Sequence, residues 1–194
     1  HDNHKVSIPN TEIRGEFVRA VKGCEWKDVI DALEQSDRLL SATWKEDSET
    51  VADILDTVHS ENTSILTYND ENSLSCVISL AYYNAMKEYT KIRELPTGCK
   101  TSGGRLFCTD RSGTETGYAD LVFIPRANAG CKPAMVIELK YNKDADTAIN
   151  QIKDKKYQGA LSGYSDRILL VGINYDTEGE DKKHHTCIIE EWKE

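Results

Sequence analysis

Three short apolar runs constrain this chain more than any other feature: YADLVFIP at 118–125, AMVIELKY at 134–141 and RILLVGINY at 167–175. They are rich in β-branched residues, and turn-forming Gly and Pro bound the first two, which predicts strands. Their near-continuous apolar character predicts central strands covered on both faces. Apolar residues at helical spacing supply the cover, at 146–161 and, ahead of the first run, at 12–21, 26–40, 47–58 and 72–89. Asp70 or Asn72 could cap the last of these. A weaker run at 186–192 reads as an edge strand. The order predicts an α/β sandwich preceded by a small helical region.

Charged residues inside such strands are the informative ones, because burying charge is costly unless it is used or paired. Asp120 interrupts the first run, and Glu138 with Lys140 interrupts the second. Glu138 and Lys140 stand two apart, so on a strand both point to one face. Strand pairing would bring Asp120 beside them. Two carboxylates and the Leu139 carbonyl then offer an all-oxygen nest suited to Mg²⁺ or Mn²⁺. Lys140 would orient the attacking water or stabilise charge developing on phosphate. A buried ion pair without catalytic use is the alternative, and such a pair rarely adds stability to a core.

GYAD at 117–120 followed by IELK at 137–140 resembles the (P)D…(D/E)xK signature of the PD-(D/E)xK nuclease superfamily. The longer string PTG…GYADLVFIPR, PAMVIELKYNKDADTAINQIKDKKY and LLVGINYD is similar to the branch fused behind AAA-type ATPase-like modules in bacterial proteins. The resemblance runs from about residue 71 to the C-terminus, and the upstream IPNTEIRGEF looks like that branch's linker. It implies a restriction-endonuclease-like mixed sheet flanked by helices. Residues 1–65 would be a helical linker region and 66–194 the nuclease-like domain. It also implies that Asp120 and Glu138 are the metal ligands, that Lys140 is the catalytic lysine, and that Gln151 is the glutamine of the following helix. Glu71 would be the acidic residue of the first core helix, with Asp70 as its competitor. For Gln151 a solvated helix face is the competing reading.

One departure stands out. The branch usually passes from PTG through a single basic residue into GYAD, whereas here the polar stretch 99–116 intervenes. It reads as an inserted surface loop overhanging Asp120. Cys99 and Cys108 could close a disulfide within it. A zinc site joining these cysteines to His184 and His185 has non-standard spacing, and the two histidines read instead as a solvated turn. Cys24, Cys76 and Cys187 lie in apolar patterns and read as buried free thiols, which favours a reduced, cytoplasmic setting.

No apolar run approaches the roughly 20 residues of a membrane helix, and the first twenty residues carry no apolar leader. The net charge of −9 opposes bulk attraction to nucleic acid. Lys143, Lys153, Lys155 and Lys156 form a local basic cluster that could still touch a phosphate backbone, or be an ordinary solvated face balanced by neighbouring aspartates. The expected activity is metal-dependent hydrolysis of phosphodiester bonds in nucleic acid. The alternative is a non-hydrolytic nuclease-like binding module attached to an ATPase.

Overall fold

The computed structural model describes residues 26–62, 71–96, 99–102, 105–108, 117–161, 163–179 and 183–193, with the side chains of 26–33, 61–62, 71–73, 99–102, 105–108, 158 and 160 left aside. The predicted helix at 12–21 and Cys24 lie outside these residues.

Helices α1 (Trp26–Trp44), α2 (Ser48–Asn62) and α3 (Glu71–Ala81) come first. Strands β1 (Tyr89–Pro96), β4 (Tyr118–Pro125), β5 (Ala134–Tyr141), β6 (Ile168–Tyr175) and β7 (His185–Glu191) form one sheet in the order β1-β4-β5-β6-β7. Helix α4 (Ala145–Lys155) links β5 to β6, which are the parallel pair; every other neighbour is antiparallel. The sheet is therefore mixed, helices flank it, and a helical region precedes it: an α/β architecture consistent with the restriction-endonuclease-like fold.

Alternation in each strand divides the core in two. Leu121, Phe123, Met135, Ile137, Leu139, Val171 and Ile173 face the side packed with α1–α3. Val122, Val136 and Leu170 face the side carrying Ile149 and Ile152 of α4. Both central strands are buried along almost their whole length, as their uniform apolarity requires.

The predicted helix at 72–89 is broken. Helix α3 ends at Ala81, a 3₁₀ turn spans Tyr83–Lys87, and β1 starts at Tyr89. Contacts with α1 override the helical period here. The Tyr82 hydroxyl and Thr43 Oγ1 share a hydrogen bond of 2.8 Å, and the Asn84 amide donates to Ser36 Oγ at 3.0 Å. Strand β1 itself was not predicted. Its residues TKIRE are charged because it is an edge strand, where charge discourages pairing with other chains.

The predicted helix at 146–161 also stops early. Asp144 caps its start by accepting from the Thr147 amide, and Lys156 adopts a left-handed conformation (φ 55°) at its end. That turn sends Tyr157 inward as the first residue of a second 3₁₀ turn, Tyr157–Ala160.

Within the inserted stretch, β2 (Cys99–Ser102) and β3 (Arg105–Cys108) form a separate hairpin outside the main sheet, with Cys99 opposite Cys108 in register. Strand β2 lies against the Tyr157 turn. Residues 109–116 fall outside the described residues.

Two expectations about side chains fail. Cys76 is exposed on α3 rather than buried, while Cys187 is half-buried and packs against the first core. His184 and His185 are not a solvated turn. Both their amides donate to Asp56 Oδ1 of α2 at 3.0 Å, and the buried His185 ring meets the same oxygen at 2.7 Å. This engagement turns them toward α2. No helix among the described residues is long and apolar enough to cross a membrane.

Candidate metal and nuclease site

The antiparallel pairing of β4 with β5 runs through Leu121–Ile137, Val122–Val136 and Phe123–Met135. The next step of that register would set Asp120 opposite Glu138. There the ladder gives way, because the Leu139 amide donates to Asp120 Oδ2 at 2.7 Å. A side-chain carboxylate replaces a main-chain carbonyl, and it is thereby fixed beside β5.

On β5, Glu138 is 2% exposed and Lys140 4%. Both project toward α4, as their spacing predicts. Lys140 Nζ donates to Glu138 Oε1 at 2.9 Å and to the Leu139 carbonyl at 3.0 Å. Gln151, from the middle of α4, donates a short hydrogen bond from Nε2 to the same Glu138 oxygen. Asp120, Glu138, Lys140 and Gln151 therefore meet in one place. Glu71 opens α3, which packs on β4 and β5, but its side chain lies outside the described residues.

The reach of Gln151 depends on Gly172. This residue sits beside Glu138 in the parallel β5–β6 register. A Cβ added to it would come within 2.5 Å of the Ala145 carbonyl oxygen and 2.9 Å of Ile149 Cγ1. The main-chain oxygen cannot swing aside, so only glycine allows α4 this close. We expect Gly172→Ala to destabilise the fold by about 1–3 kcal/mol, the usual range for overpacking. It should also displace Gln151 from Glu138. Urea denaturation measures the first, and a midpoint equal to wild type would show that the helix contact is slack.

Sequence reasoning missed Tyr157. The signal was a lone aromatic at the end of a lysine-rich helix, buried where its neighbours Lys155 and Lys156 are not. Burial, followed by the charges of Glu138 and Asp120, pushes its phenol up to about 12, against the pull of the Gln151 side chain. Both carboxylates therefore act on the same hydroxyl. Among the basic residues, Lys153 pairs with Glu190 of β7 at 2.6 Å, while the Lys155 stem runs beside Gly117. An open groove of about 330 Å³ on α4 is lined by Thr147, Asn150, Gln151, Asp154 and Lys155, and shares Gln151 with the site.

The donor set suits a hard divalent cation. Asp120, Glu138 and the Leu139 carbonyl are all oxygen donors, and Mg²⁺ is commonly held by one or two carboxylates with water completing its shell. Among the described residues no group of three or more His, Cys, Asp or Glu side chains is arranged around a metal position, so two carboxylates would have to suffice there.

No curated protein matches the chain. A family model does match it: residues 109–185 correspond to the PD-(D/E)XK nuclease superfamily. That segment contains Asp120, Glu138, Lys140 and Gln151, so the similarity to this superfamily falls on the four residues that the fold gathers at one site.

Proposed function

We propose that this protein is a metal-dependent nuclease that hydrolyses phosphodiester bonds, with Asp120 and Glu138 as metal ligands. The observation that carries this reading is the Asp120 carboxylate tied to the Leu139 amide, which holds the second acid beside a buried Glu138–Lys140 pair. A structural ion pair alone would need no further carboxylate at that place.

Bound Mg²⁺ or Mn²⁺ would polarise the phosphodiester and lower the pKa of a water. The chain's own residues prepare the site. Asp120, Glu138 and the Leu139 carbonyl would hold the cation. Lys140 stands one hydrogen bond from Glu138, placed to orient water or to face charge developing on phosphate. Gln151 fixes the Glu138 oxygen it donates to. Lys155 and Asn150 line the groove along which a nucleic-acid strand would approach. Glu71 is retained as a third acidic candidate from α3. An AAA-type ATPase module as a fused partner, in a bacterial cytoplasm, belongs to this proposal and rests on the sequence resemblance alone.

Calorimetric titration with Mn²⁺, together with cleavage assays on single- and double-stranded DNA and RNA, tests the reading. Wild type should bind Mn²⁺ and cleave at least one substrate, and Asp120→Ala and Glu138→Ala should lose both by about 100-fold or more. Nucleic-acid binding with neither Mn²⁺ uptake nor cleavage would replace this reading by the non-hydrolytic module. The net charge of −9 and the hairpin beside the Tyr157 turn are the features that favour that second reading.

A further inference from the structure

Tyr157 stands beside the carboxylate site, near Gln151, Glu138 and Asp120. Its ring packs in the core with Ile149, Ile152 and Leu161, and 2% of the residue is exposed. Among the described residues the hydroxyl nevertheless closes no hydrogen bond of ordinary geometry, although the Gln151 side chain lies close enough to act on it. Leaving a buried donor in this state is costly.

The opposite wall is equally specific. Gly117 lies three residues ahead of Asp120, where the inserted stretch rejoins the core. A Cβ there would stand 2.7 Å from Tyr157 Oη, and 3.1 Å from Lys155 Cδ. The lysine stem can move aside. The hydroxyl cannot, because it is carried by a ring locked in the core.

From these contacts we propose that Tyr157 is a positioning residue whose hydroxyl completes the Asp120–Glu138 site as a donor when the site is loaded, with Gly117 as the clearance it requires. The ligand half of this proposal rests on the metal-site reading given above. The clearance half does not. A donor held in reserve explains why a hydroxyl is buried beside two carboxylates without a settled partner. A residue that only filled the core would be served as well by phenylalanine.

Two measurements on the whole chain decide it. In Mn²⁺ calorimetry Tyr157→Phe should lose about 10-fold in affinity, the lower range for residues that orient a metal's ligands. Its melting temperature without metal should not fall, since no made hydrogen bond is removed. A merely structural role would leave the Mn²⁺ affinity at the wild-type value. In a double-mutant cycle, Gly117→Ala should lower the melting temperature of wild type but do so far less in the Tyr157→Phe background, where the clashing oxygen is gone. Equal Mn²⁺ affinity in wild type and Tyr157→Phe would overturn the ligand half, and an equal penalty in both backgrounds would overturn the clearance half. A wild-type chain that binds no Mn²⁺ would overturn the metal-site reading and the ligand half with it. The thermal cycle would still decide the contact between Gly117 and Tyr157.

Discussion

Lys140→Met should cost the metal-free protein about 3–5 kcal/mol, the usual penalty for breaking a buried ion pair from one side. The reason lies in what is left behind. Glu138 is 2% exposed, and the lysine ammonium both neutralises it and donates to Oε1. Methionine keeps most of the stem's packing and removes only the charge and its hydrogen bonds, so the loss reports the pair and not a cavity. For a chain of this size each kcal/mol moves the melting temperature by roughly 2–4 °C, which makes the expected drop roughly 6–20 °C. Mn²⁺ should recover part of it, because a cation at the carboxylates replaces the missing positive charge. Cleavage should still fall by about 100-fold or more, since the metal cannot take over what Lys140 does for water or phosphate. Asp120 is a different case. Removing one of two close carboxylates relieves repulsion, yet Asp120→Ala also strands the Leu139 amide that it now satisfies. Asp120→Asn keeps an acceptor there, so it should melt at or above wild type without metal and show little Mn²⁺ shift. Differential scanning fluorimetry across these variants, with and without Mn²⁺, checks all of this. A Lys140→Met protein melting within 2 °C of wild type would show that Glu138 does not depend on its lysine.

The central sheet and its acids were legible because they rest on short-range rules. Uniform apolarity marked β4, β5 and β6. Within them a charged residue is conspicuous, and a two-residue spacing fixes a common face. The features that escaped notice depend on tertiary contact. Strand β1 hides in TKIRE because an edge strand is covered on fewer sides and keeps its charges. Helix α3 ends at Ala81 not through any breaker residue but because Thr43 and Ser36 of α1 draw Tyr82 and the Asn84 amide into the core. Tyr157 falls within the predicted helix at 146–161, and only the left-handed turn at Lys156 sends it inward. Gly172 read as one more residue of an apolar strand, and nothing in its neighbourhood announced that α4 would press against it. His185 looked polar and therefore exposed. Its partner, Asp56, is 129 residues away in the chain.

That partner belongs to a second charged cluster, on the sheet face opposite the carboxylates, and it makes the fold acid-sensitive. His59 of α2 is buried, with its ring 4.9 Å from that of Tyr175, 5.7 Å from that of His185 and 6.3 Å from that of His184. Burial, and then the neighbouring His185 and His184, push its pKa down to about 4, against the opposing pull of Asp56. Asp56 itself is raised by burial, but hydrogen bonds from the His185 ring and from both histidine amides outweigh this and hold it below its ordinary value. The two groups act in different pH windows. The unfolded chain protonates His59 near 6.5 and the folded chain only near 4, so stability falls as pH drops between these values and this group adds no further loss below. Asp56 acts later, its contribution fading only as the pH falls below the ordinary carboxylate range. At about 1.4 kcal/mol per unit, the His59 shift sets an upper bound of roughly 3 kcal/mol lost between neutral pH and pH 4. His59→Phe keeps an aromatic ring against Tyr175 and removes the proton site. Its denaturation midpoint should therefore change much less than that of wild type between pH 7 and pH 4.5. Urea melts across that range measure the difference directly. Parallel midpoint-against-pH curves for the two proteins would mean that His59 protonates as easily folded as unfolded, and the acid sensitivity would have to be sought elsewhere.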